Sequence, residues 1–343
     1  PGAFDAWLLM LRDYGTLPLA EVMAPAIAFA GNGYPLVSHI SNTIQGVREL
    51  FLTEWRSSAA VYLPGGDTPK PGSIFRNLKL ALTSRRIVGA AEAAGSDRVR
   101  QVEAARRAFL EGFVAEAVDR FCRTEAVMDT SGERHRGLLT GDDMGRWRAS
   151  YDEPLTYDYH GYTLAKAGPW AQSPVFLQQL ALLKDFDIAG MDPLGADFVH
   201  TVVEAGKLAY ADREAYYGDP DFVDVPMATL LSDGYNAERR ALIGERASLE
   251  LRPGRIAGHD GRIGQTRGPV RQAAGVGEPT MARTGMVAGD TCHLDVIDRH
   301  GNMVSATPSG GWLQSSPVIP ELGFPLGSQD HRQLARQAVA SSA

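Results

Sequence analysis

The segment from Gly289 to Thr307 constrains this chain more than any other. Leu294, Val296 and Ile297 form an apolar, β-rich run, Asp298-Arg299-His300-Gly301-Asn302 carries turn residues, and Met303 to Thr307 continues as a partner strand. A hairpin over these residues sets Thr291 at the head of a strand. Threonine in such a place is ordinarily a β-former. If the peptide bond before Thr291 is cut, its new α-amine, with a pKa of roughly 8, stands beside its own hydroxyl and can take that proton. The β-methyl restricts χ1 and holds Oγ at one angle. One residue then supplies both nucleophile and base.

Composition narrows the rest. With 343 residues, 44% hydrophobic and 22% charged, the chain can bury a sizeable core in one or two domains. A net charge of −7 without long blocks of like charge leaves no basic footprint for nucleic acid and no polybasic membrane patch. No run approaches the roughly 20 apolar residues a membrane span needs, and no signal peptide stands at the front. The chain starts at Pro1, directly in a helical pattern, and ends in small residues, so the natural protein is expected to extend beyond both ends. Cys122 and Cys292 are too few for a disulfide framework and are expected as free thiols. Eight scattered histidines, with no His-Glu-x-x-His and no paired cysteines, predict no metal site. There is no Gly-x-Ser-x-Gly elbow, phosphate loop or dinucleotide fingerprint. Tyr217-Gly218-Asp219-Pro220-Asp221 reads as a turn rather than a cation site.

Apolar spacing predicts helices over Phe4 to Asp13, Leu19 to Ala30, Ser41 to Phe51, Asn77 to Leu82, Arg98 to Phe121 and Asp197 to Tyr217. Residues 63–72 read as a Gly- and Pro-rich loop. Gly141-Asp142-Asp143 looks like a helix start with Asp142 as N-cap. Leu155 to Leu164 alternates around His160-Gly161 and predicts a hairpin within a sheet. Ser173-Pro174 opens a helix through Leu177, Leu180 and Leu183. Arg252 to Arg283, rich in Gly, Arg and Pro, has no periodicity and reads as a mobile linker.

The segment around Thr291 resembles the start of the small subunit of γ-glutamyltranspeptidases, N-terminal nucleophile hydrolases whose precursor is cut before a threonine in a Thr-Thr-His or Thr-Cys-His setting. The matching residues are Thr291, His293, Asp298, Gly301, Asn302 and Thr307. The likeness continues in order through Tyr14 to Leu19, Ala24-Pro25-Ala26, Gly33-Tyr34-Pro35, Leu138 to Asp143, Tyr159 to Tyr162, Tyr210 to Arg213 and Tyr217 to Val223. Collinearity over residues 1 to about 326 makes the resemblance specific, although each motif is weak alone.

The resemblance implies an α+β fold, an incomplete four-layer αββα sandwich. It divides the chain into a large-subunit-like segment at 1–290 with the linker at about 252–288, a small-subunit start at 291–326 and a divergent tail at 327–343. It further implies cleavage at Asp290/Thr291 and attack by Thr291 on a γ-glutamyl amide such as glutathione. The glutamyl group then passes through an acyl-enzyme to water, or to an amino-acid or peptide amine. Thr307 and Ser309 become supporting hydroxyls, and Gln329 a candidate substrate contact. No cofactor is required, and the expected partners are the two subunits and a second copy in a homodimer. Cys292 is the rival nucleophile, disfavoured by register; His293 is expected to support rather than act as base, because the terminal amine fills that role. The family's carboxylate-binding arginine lies upstream of Pro1, and its oxyanion-hole residues lie downstream of the tail, so the 343-residue chain alone is expected to be inactive. Thr307-Pro308-Ser309-Gly310-Gly311 stands where well-known members have Thr-x-Thr-x-Asn, which opens donor choice. Two alternatives therefore stand beside the first reading: a β-lactam or glutaryl acylase of the same superfamily, and a truncated, non-catalytic homologue.

Overall fold

The structure, a computed structural model, describes residues 2–129, 132–261, 293–308, 313 and 316–327. At 50% helix and 12% strand the described residues are α+β. The described residues form two compact units, one made by residues up to Ser150 together with those from 293 onward, the other by Tyr151 to residue 261.

In chain order the first unit contains α1 (Gly2–Tyr14), α2 (Leu19–Asn32), β1 (Tyr34–Pro35), α3 (Ser38–Gly46), α4 (Arg48–Thr53), α5 (Arg56–Tyr62), β2 (Ile74–Phe75), α6 (Leu78–Glu92), α7 (Arg98–Leu110), α8 (Phe113–Thr124), β3 (Ala126–Met128), β4 (Arg134–Arg136) and α9 (Gly141–Arg146). The helix expected over residues 41–51 is two, broken at Val47. The one expected over 98–121 breaks at Glu111-Gly112, where Gly112 takes a non-helical φ of −104° and ψ of −147°. Glycine is among the weakest helix formers, and here it lets the chain turn between two helices. By contrast α6 runs ten residues past its expected end, because Ile87, Val88 and Ala91 continue its buried face. The start of α9 also differs from expectation. Its N-cap is Thr140, not Asp142: Thr140 Oγ1 accepts from Asp143 N–H at 3.1 Å while Asp143 Oδ2 accepts from Thr140 N–H at 3.0 Å. The reciprocal box requires a carboxylate three residues after the cap, and Asp143 supplies it.

One core of this unit joins Leu8, Leu19, Ile87, Val102, Leu110 and Val118; a second joins Ile44, Phe51, Trp55, Tyr62 and Phe75. Within it Asp5, fully buried, forms a two-pronged pair with Arg106 at 2.6 and 3.0 Å and accepts from Ala149 N–H at 2.8 Å. Burial pushes the Asp5 carboxyl up, but the Arg106 bond, the Ala149 N–H and the cations Arg106 and Arg148 together outweigh it and hold the group below its usual range.

The second unit contains β5 (Leu155–Tyr159), β6 (Tyr162–Lys166), α10 (Pro174–Leu183), α11 (Ala196–Tyr216), α12 (Met227–Leu230) and α13 (Asp233–Arg240). The β5–β6 hairpin turns at His160-Gly161 as expected, with Tyr157 opposite Leu164. Pro174 opens α10 at its first turn. Asp212 on α11, fully buried, gathers Gln178 Nε2 at 2.7 Å, Arg239 at 3.2 and 3.3 Å and Gly254 N–H at 2.7 Å. The linker expected over 252–288 is therefore held at its start. Arg252 donates to buried Glu204 at 3.0 Å, Gly254 to Asp212, and Ile256 is buried. Residues 262–288 lie outside the described residues.

Returning to the first unit, the chain adds β7 (Leu294–Ile297), β8 (Met303–Ala306), β9 (Val318–Ile319) and β10 (Phe324–Pro325). Residues 313 and 316–327 enter both cores: Ile319 and Leu322 join the first, Leu313 and Val318 the second. Polar contacts fix the same stretch, with Ser58 Oγ accepting from Val318 N–H at 3.0 Å, Thr83 Oγ1 donating to Leu322 O at 2.9 Å and Asn77 Nδ2 donating to Gly323 O at 2.7 Å. Gly323 has a φ of 80°, and a Cβ there would stand 2.5 Å from Leu80 N, so only glycine fits against the start of α6. All strands among the described residues pair as antiparallel twos.

Candidate active site

The β7–β8 hairpin forms where the sequence predicts strand, turn and strand. Its register pairs Leu294 with Ala306, Asp295 with Ser305, Val296 with Val304 and Ile297 with Met303. The turn is built by Asp298, whose Oδ1 accepts from His300 and Asn302 N–H at 2.8 and 2.9 Å and whose Oδ2 accepts from Asn302 Nδ2 at 2.8 Å. Asn302, through its side chain and then its backbone, with His300 and Gly301 assisting, holds the Asp298 carboxyl below its usual range. Gly301 closes the turn at a φ of 85°, which a side chain would strain.

Because successive strand side chains alternate faces, Asp295, Ile297, Met303 and Ser305 share one face, with Leu294, Val296, Val304 and Ala306 on the other. Parity places His293 and Thr307 at the end of the first face. There His293 Nδ1 lies 2.7 Å from Thr307 Oγ1, and His293 Nε2 lies 2.9 Å from Asp295 Oδ2. The Ser305 hydroxyl first, and His293 after it, hold the Asp295 carboxyl below its usual range. The result is a linked row of hydroxyl, imidazole and carboxylate. It lies open: the side chains of His293 and Asp295 are 53% and 63% exposed.

Thr307 is the one predicted catalytic residue that the described residues contain, and it is engaged by His293. Asp290, Thr291, Cys292, Ser309 and Gln329 lie outside the described residues. The sequence reading passed over Asp295. The signal was present in its two-residue spacing from His293, which puts both on one strand face. Cys122 is buried and unpaired, with burial first and Asp119 second pushing its thiol up and away from the reactive thiolate. Among the described residues no cluster of His, Cys, Asp or Glu could hold a metal ion, and no helix is long and apolar enough to cross a membrane.

Comparison with known proteins gives this hairpin its context. The acylase ACY 1 proenzyme of Pseudomonas sp. (strain SE83) is 32% identical over 326 residues, covering 94% of this chain and 49% of the relative. The glutathione hydrolase proenzyme of Bacillus subtilis (strain 168) is 29% identical over 332 residues, covering 96% of this chain and 50% of the relative. The chain thus spans about half the length of the curated relatives it matches. A solved structure of LmbA2991HD is 52% identical with a TM-score of 0.84, covering 96% of this chain and 54% of the other. The family model described as gamma-glutamyltranspeptidase matches residues 1–340, and the chain belongs to that family.

Proposed function

We propose that the protein is a self-cleaving amidase of the N-terminal nucleophile type, in which a break at Asp290/Thr291 frees the Thr291 amine to act as base for its own hydroxyl. In maturation the Thr291 oxygen attacks the Asp290 carbonyl, the acyl group shifts from nitrogen to oxygen as an ester, and water releases the amine. In turnover the same oxygen attacks a γ-glutamyl amide of the glutathione type, expels the amine, and passes the glutamyl group from the acyl-enzyme to water or to an amino-acid or peptide amine. The observation that carries this reading is the polar end of the β7–β8 face. There the Thr307 hydroxyl meets His293, which follows Thr291 by two residues in the sequence. Ser309 and Gln329 take supporting and substrate-contacting roles in the same proposal.

Packing supports what must follow cleavage. A new chain starting at Thr291 carries Val318, Ile319 and Leu322, each at most 1% exposed in cores built by residues before the break. The two pieces stay together as large and small subunits, and the segments 1–290, 291–326 and 327–343 are read in that sense. The four-layer sandwich belongs to the same proposal. Leu294, Val296 and Val304 on one face of the hairpin and Ile297 and Met303 on the other are all exposed, and a strand pair apolar on both sides suits an inner sheet covered from both directions.

A second reading, acylase action on a β-lactam or glutaryl side chain, is favoured by the likeness to a Pseudomonas protein named as an acylase. The test is turnover of a γ-glutamyl anilide against a glutaryl amide by the natural gene product. Preference for the first supports γ-glutamyl transfer and preference for the second the acylase; turnover unchanged by Thr291→Ala would end both.

A further inference from the structure

Buried polar groups are divided unequally between the two units. Among the described residues, six buried side-chain atoms have no hydrogen-bond partner in the protein, and all six belong to the second unit: the hydroxyls of Tyr157, Tyr217 and Tyr235, Gln178 Oε1, Asn236 Oδ1 and Arg252 Nε. Folded proteins rarely leave such atoms bare, because each has given up its hydration and gained nothing in exchange. We propose that a structural water is bound beside Asp212, donating to Gln178 Oε1 and accepting from the Tyr217 hydroxyl.

The Gln178 amide is locked in one orientation. Its Nε2 donates to Asp212 Oδ2 at 2.7 Å, and turning the amide over would set its oxygen against that carboxylate. Oε1 is therefore a fixed acceptor on a side chain that is fully buried. On α10, Gln178 shares a face with Val175 and Leu182, three residues before it and four after. Tyr217 packs against the cluster that Val175 and Leu182 help to form, which brings its ring toward that face. Its hydroxyl is buried without a protein partner. Burial first, and the Asp212 charge second, push the phenol up, so it keeps its proton and can donate.

Water answers both groups at once, since it donates to the amide oxygen and accepts from the phenol. Asp212 is already served, with two bonds to each carboxylate oxygen from Gln178, Arg239 and Gly254. A cation suits the place poorly. The Asp212 charge is matched by Arg239, and the phenol proton would face the ion. The water joins α10 to Tyr217, the residue that ends α11, beside the direct link that Gln178 makes to Asp212.

The test is a crystal structure of the natural gene product at a resolution that shows ordered water, with oxygen-17 relaxation dispersion to count long-lived waters in solution. The expected result is a single water within about 3.2 Å of both Gln178 Oε1 and the Tyr217 hydroxyl. A dry site, an ion in that place, or Gln178 Oε1 bonded to a protein donor overturns the proposal. Tyr217→Phe removes the hydroxyl but keeps the ring, and is expected to lose one long-lived water from the solution count and its density from the crystal. An unchanged count with the density still in place shows that Tyr217 does not hold the water, and overturns the bridge. If Tyr217→Phe does not fold, the wild-type crystal decides alone.

Discussion

Asp212 and Asp295 are both carboxylates in polar clusters, yet they stand in opposite surroundings. Asp212 is fully buried and takes bonds from Gln178, Arg239 and Gly254, tying α10, α11, α13 and the stretch after Arg252 into one unit. Asp295 is 63% exposed and, among the described residues, joins its strand neighbours His293 and Ser305. A buried charge that loses a partner is costly, so the first cluster is fixed by the fold's own stability. An exposed pair is screened by water and contributes little, so the order of the second cluster is of little value to the fold. Burial thus separates Asp212, which holds its unit together, from Asp295, whose order adds little to the fold.

Several outcomes would sharpen or break that contrast. The largest effect is expected from Asp212→Ala, which leaves Arg239 buried without its partner and should cost the second unit about 3 to 5 kcal/mol, read by hydrogen exchange along α10 and α11. Next, Leu322→Ala opens a cavity in the core shared by residues before and after the proposed break, at a cost of about 2 to 5 kcal/mol. The matured subunits of that variant should separate at lower denaturant than wild type, measured by sedimentation; unchanged association would refute the role given to residues 313 and 316–327. Acid acts through Asp5. Its folded pKa is lowered, so its contribution is complete above the ordinary carboxylate value of about 3.9 and is lost as pH falls through the lower folded value. Protection of α1 and α7 should therefore fade below about pH 4 in wild type and less steeply in Asp5→Asn, where Glu103, which Arg12 and then Arg106 hold below its usual range against burial, still titrates. Smallest of all, Asp295→Ala should leave the denaturation midpoint near that of wild type while impairing turnover of the natural gene product. A large stability loss there would erase the distinction between the two clusters.

What the sequence disclosed follows the same division. The β7–β8 hairpin, the His160-Gly161 turn and the proline-led start of α10 were legible because their causes are local: alternation, turn residues, and a proline in a first turn. The break at Gly112 was not, because the apolar spacing on either side is nearly continuous and only packing shows where the helix stops. Asp212 was visible as part of a motif, but its hub role depends on Gly254, 42 residues away, and no spacing rule reaches that far. The weaving of residues 313 and 316–327 into cores made by α1 to α8 is likewise invisible to any local reading. Thr307 stands out in the sequence by the family resemblance, but its partner does not, because the register that places His293 opposite it emerges only when the two strands pair.

The central claim is that Thr291 becomes a chain terminus. Intact-mass measurement of the natural gene product addresses it directly. The account predicts two fragments meeting at Asp290/Thr291, formed by wild type and by Cys292→Ala but not by Thr291→Ala. A single uncut chain that turns over substrate would contradict it.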